Sequence, residues 1–145
     1  MKTPGHKEWD GGYGCPDGGS DFRNFNGVSH ERAVEMFQEN SYVFHEDIQY
    51  MPVKVSEFYL KAYAEYIISE DARGDYEGAI FFIYTVTSLE KELFDFSAEM
   101  KEYTVFAVKH IIENEEKFDE NVIIDEGMRK RLDKLEALPA LCGIL

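Results

Sequence analysis

The sequence predicts a mainly α-helical protein: a compact bundle of about five to six helices behind an irregular, glycine-rich N-terminal arm. Three observations lead there. Apolar residues recur at three- and four-residue spacing from Ser29 to Ile111, the period of one helix face. Side chains that cap helix N-termini, Ser29, Asp75, Ser97 and Asp125, stand just before apolar runs. Short polar breaks separate those runs, as the connections of a bundle do. At 145 residues with 44% hydrophobic content, the chain holds enough apolar surface for one core. The division expected is an arm over residues 1–26 and a single helical domain over 27–145.

The arm, Met1 to Asn26, carries Pro4, Pro16 and the glycines Gly11, Gly12, Gly14, Gly18 and Gly19, a composition that reads as loop. Its aromatics, Trp9, Tyr13, Phe22 and Phe25, are expected to pin it onto the core. Ser29 then opens a helix with Ala33, Val34, Met36 and Phe37 on one side, broken at Asn40 and Ser41. A short segment, Tyr42 to Met51, aligns Phe44, Ile48 and Met51 and stops at Pro52, which has no amide proton to donate. The next helix, Ser56 to Ser69, has a wide apolar face of Phe58, Tyr59, Ala62, Tyr63, Tyr66 and Ile67. Asp75 opens a fourth reaching about Phe94, with Ala79, Phe82, Ile83, Val86, Leu89 and Leu93 inward. Within it Ala79 to Thr87 is also β-prone, so a strand is the competing reading. Ser97 opens a fifth helix, Asn114 to Glu126 reads as an acidic loop, and Asp125 opens a last helix with Met128, Leu132 and Leu135 in line. Phe37, Phe58, Tyr63, Ile67, Phe82, Ile83, Val86, Val108 and Ile111 are expected to be buried together.

Charge is the strongest global signal. Asp and Glu total 29 against 15 Lys and Arg, a net charge of −14. Such a field repels phosphate backbones and anionic membranes and favours a basic partner, so neither direct nucleic-acid binding nor a membrane is expected. No apolar run approaches spanning length, and Met1 to Gly14 lacks the apolar segment of a secretory signal. A cytoplasmic location follows as the expectation. Cys15 and Cys142 make no disulfide framework and read as reduced thiols, with one bridge between the termini left open.

No catalytic or cofactor signature stands out. His30-Glu31 and His45-Glu46-Asp47 suggest metal donors, but adjacent helical residues face different ways, and ligand pairs need i, i+3 or i, i+4 spacing. The carboxylates Glu113, Glu115, Glu116, Asp119, Glu120, Asp125 and Glu126 lack the spacing and central glycine of a calcium loop. They read as a solvated face, or as a docking surface for a basic partner. Glu70, Asp71, Asp75 and Glu77, with Arg73 among them, form a smaller acidic patch. Arg129, Lys130, Arg131 and Lys134 read as a solvated helix face pairing with the nearby acidic loop. No cofactor and no metal are expected, and the chain does not read as an enzyme.

A block of residues carries a resemblance: Phe25-Asn26-Gly27-Val28-Ser29, Ala33, Phe37 to Ser41, His45-Glu46-Asp47-Ile48, Tyr50-Met51-Pro52 and Phe58 to Ala62. Over about residues 22–75 the chain resembles small bacterial proteins of immunity-like type, a group that brings no activity with it. By that analogy the expected function is an acidic inhibitor or immunity protein masking a basic site on a bacterial toxin or nuclease. The partner-binding residues would be Glu113, Glu115, Glu116, Asp119 and Glu120, with Glu46 and Asp47. The competing readings are a DNA mimic or anti-defence protein, a small enzyme built around His45, Glu46, Asp47 and a distant His110, and an accessory subunit without a site.

Overall fold

The computed structural model describes residues 2–9, 19–121 and 124–141. Among them the chain forms helices and no strand: α1 (His6–Trp9), α2 (Ser20–Phe25), α3 (His30–Ile48), α4 (Val53–Ile68), α5 (Tyr76–Ser88), α6 (Ala98–Glu113), α7 (Glu115–Phe118) and α8 (Glu126–Glu136). Short 3-10 turns follow α4, α5 and α8. The anticipated caps form: the side chains of Ser29, Asp75, Ser97 and Asp125 accept from the amides of Arg32, Gly78, Met100 and Met128. Each satisfies one of the orphan amides that open a helix. No helix among the described residues is long and apolar enough to cross a membrane.

The hub is α4. Phe58, Tyr59, Leu60, Ala62, Tyr63, Ala64, Tyr66 and Ile67 are all buried, so the helix is covered nearly all round, with α3, α5, α6 and α1 against it. Tyrosines in this position need partners for their hydroxyls. Tyr63 donates to the Gly78 carbonyl at 2.6 Å, and the Tyr59 hydroxyl lies 2.8 Å from the carbonyls of both Phe25 and Val28. The nine residues expected to share the core do so.

The break at Asn40 and Ser41 is a restart inside α3. Asn40 leaves helical geometry (φ −162°, ψ 76°), and its side chain caps the second half by accepting from the Val43 amide at 3.2 Å. The β-prone stretch 79–87 is helical, because Ala79, Phe82, Ile83 and Val86 turn one face into the core between α3, α4 and α8. That helix stops at Ser88, short of Phe94. The hydroxyls of Thr85, Thr87 and Ser88 bond back to the carbonyls of Phe81, Tyr84 and Thr85, which favours termination. Helix α4 begins at Val53 rather than Ser56. Pro52, with its φ already fixed, stands before its first turn, and Ser56 is an interior residue bonded to the Val53 carbonyl.

The arm differs from the loop expected over residues 1–26, since it holds α1 and α2. Its aromatics do pin it. Trp9 is buried and meets Phe22 edge-on at 5.2 Å, and Phe25 packs among Phe37, Phe44 and Tyr59. Tyr13, Cys15, Cys142 and the glycines Gly11, Gly12, Gly14 and Gly18 lie outside the described residues.

Candidate functional site

The densest carboxylate run lies on α7 and its flanks. Glu113 ends α6, Glu115 and Glu116 open α7, and Asp119 and Glu120 follow it. Glu113, Glu116 and Glu120 are exposed, while Glu115 and Asp119 are half-buried. The segment is not the solvated, core-free loop expected from sequence, because its centre is buried. Phe118 is 1% exposed and Lys117 is 8% exposed. The Lys117 ammonium donates to the carbonyls of Ile67 (3.0 Å) and Ile68 (3.1 Å), the last residues of α4, and to His110 Nε2 at 2.8 Å. A cation is favoured at that end of a helix, where the final carbonyls lack amide partners. Lys117 thereby fastens α7 to the hub.

A second tie joins the same places. Gly74, at a positive φ of 85°, donates its amide to the Lys117 carbonyl at 2.9 Å. The left-handed backbone there suits glycine alone among the common residues at little cost. The result is that the two acidic patches, 70–77 and 113–120, adjoin. Their charges feel one another: Glu70 is held below the usual carboxylate range first by Arg73, and more weakly by Lys117 and His110. Arg73 is held above its ordinary value first by Glu70, which it contacts, and at longer range by Glu116.

Asp47 has another job. It is buried, and its two oxygens accept from Ser20 Oγ at 2.6 Å and Asn24 Nδ2 at 2.7 Å, clamping α2 onto α3. A partner has no access to that carboxylate, so its expected role in binding is replaced by a structural one. Glu46 is exposed and faces the other way. It shares with His45 a pocket of about 270 Å³ that Gln49, Tyr84, Ser88 and Arg131 also line. His110, by contrast, sits on α6 beside Lys117 and Phe118. Of the grouping His45, Glu46, Asp47 and His110, only His45 and Glu46 share a pocket, while Asp47 bonds Ser20 and Asn24 and His110 contacts Lys117 and Phe118.

No family model, curated protein or solved structure matches this chain.

The described residues contain no group of three or more His, Cys, Asp or Glu side chains placed to hold a metal ion. A polar depression of about 380 Å³ at the break in α3 is lined by Asn40, Tyr42, Tyr66, Asp75 and Glu77. Its central carboxylate is already committed: Asp75 caps α5 and accepts from Tyr66 at 2.7 Å. The basic cluster on α8 divides. Lys130 pairs loosely with Glu126 one turn away, whereas Arg131 lies 4.1 Å over the Tyr84 ring. Arg131 is exposed like its neighbours, as the sequence predicts, but its stacking on Tyr84 is not predicted. The only available hint was its place one residue before the inward-facing Leu132. Lys117 was missed as well, since a lysine among glutamates looks like any surface cation.

Proposed function

We propose that this chain is an acidic binding protein whose working surface is the joined carboxylate face of residues 70–77 and 113–120. Its partner is a protein that presents a basic site. The finer reading is an immunity or inhibitor protein that masks such a site on a bacterial toxin or nuclease. One observation carries the proposal: two acidic segments far apart in sequence are brought into one surface by the Gly74 amide and the Lys117 ammonium. Of the two cations within it, Arg73 is taken by Glu70 and Lys117 is turned inward, so the field stays negative. Charge of this kind steers encounter with a basic target, while close packing sets the lifetime of the complex.

The test is the association rate against a captured basic partner, as a function of salt, for the native chain and for the triple variant Glu113→Gln, Glu116→Gln, Glu120→Gln. These three side chains are exposed, so the variant is expected to fold normally. At low salt it should associate about tenfold more slowly. The two rates should converge near 1 M salt, where the screening length is about 3 Å. Association that ignores both salt and the substitutions would defeat the proposal. Duplex DNA added as competitor separates a nucleic-acid-binding partner, the target of a DNA mimic, from any other.

A further inference from the structure

The pocket between α3, α5 and α8 has a construction that the acidic face does not explain. His45 is 8% exposed, and its ring stacks on Phe81 at 4.3 Å with the planes 8° apart. Its Nδ1 lies 3.0 Å from the Ser41 carbonyl. A carbonyl can only accept, so Nδ1 carries a proton, and in the neutral ring Nε2 is left as an acceptor. Nε2 has no partner among the described residues, and the ring lines the pocket. Arg131 faces the same space. Its guanidinium lies 4.1 Å over the Tyr84 ring, and among the described residues it has one long hydrogen bond, 3.5 Å to Thr87 Oγ1, and no ion pair. Arg131 thus has its guanidinium free of any carboxylate among the described residues, stacked on an aromatic ring beside the pocket. Glu46 lines the same pocket, yet the two charges do not meet.

We propose that this pocket binds a small zwitterion, a free α-amino acid or a similarly short amino-carboxylate. The ligand carboxylate takes the forked donors of Arg131, a geometry that planar guanidinium suits better than a lysine would. The ligand ammonium donates to His45 Nε2 and is neutralised by Glu46. Cavity size agrees: about 270 Å³ lies below the range typical of drug-sized ligands, so it suits a compound of few atoms. Stacking against Tyr84 and Phe81 holds both recognition groups in place before the ligand arrives, which limits the ordering cost of binding. The site draws on α3, α5 and α8 and is independent of the acidic face.

The test uses the full chain and nuclear magnetic resonance of the His45 ring nitrogens and the Arg131 guanidinium Nε–H. Three probes are titrated: glycine, acetate and methylammonium. Glycine should shift both side chains saturably and bind about tenfold or more tighter than either of the other probes, since each supplies only one of the two charges. Glu46→Gln should reduce glycine to the level of acetate. Arg131→Gln should abolish the response of His45. Arg131→Lys, which keeps the charge and the packing stem but loses the fork, should weaken binding about tenfold, and it guards against a folding defect in the glutamine variant. Acetate binding as tightly as glycine, or no saturable shift with glycine, would overturn the proposal.

Discussion

An ammonium withdrawn from water must have its protons met, and Lys117 meets them with two carbonyls and an imidazole. The arrangement requires His110 Nε2 to be an acceptor, hence an uncharged ring. Burial first, and the Lys117 charge second, hold His110 below the ordinary histidine value of 6.5. The unfolded chain therefore takes up this proton at a higher pH than the folded one. The sign follows: the contribution to stability is complete above about 6.5 and is lost as pH falls through that value toward the lower folded one. Glu39 and Glu70, both held low by arginine partners, titrate in a separate window near and below 4.5. Urea midpoints should accordingly drop between about pH 7.5 and about pH 5.5. In His110→Gln, whose side-chain carbonyl still accepts from Lys117 but does not titrate, that drop should shrink. An equal drop in both proteins would place the acid sensitivity elsewhere.

Helix α2 has six residues, too few to persist alone, so its stability comes from what it touches. Phe25 supplies an apolar contact and its carbonyl accepts from Tyr59, while Asp47 accepts from Ser20 and Asn24. Asp47→Ala should cost about 1–3 kcal/mol, the range for leaving a buried donor without its partner. Hydrogen exchange should then quicken over 20–28 first, with α4 still protected; uniform loss of protection would show that the clamp serves the whole fold. The long helices were legible because each repeats its apolar spacing over several turns and starts on a capping side chain. The break in α3 was legible because Asn40 and Ser41 interrupt that spacing. Helices α2 and α7 were not, since four to six residues carry no period and are held by long-range contacts, Asp47 reaching α2 from α3 and Lys117 reaching from α7 to the end of α4. The same holds for the sites. The exposed acids of 113–120 could be read directly, whereas the His45 pocket depends on Arg131, brought from the far end of the chain by the fold alone.

At the scale of the whole molecule the net charge of −14 acts on every residue at once. Few described ion pairs offset it, and those of Arg32, Arg73 and Lys130 are on the surface, where each contributes little. Self-repulsion should therefore dominate the response to salt. The melting temperature should rise between about 20 mM and about 300 mM sodium chloride, as the screening length falls below the spacing of like charges. A melting temperature that fell would mean that surface pairs outweigh repulsion. One more property belongs to the molecule as a whole, and it comes from where Lys117 points. Amine-reactive reagents reach exposed lysines directly, but Lys117 becomes available only when α7 lifts from the end of α4. Its acylation under native conditions thus keeps time for a single local event, the detachment of the segment that joins the two acidic patches. Comparison with the unfolding rate then distinguishes a face that is permanently assembled from one that opens and closes.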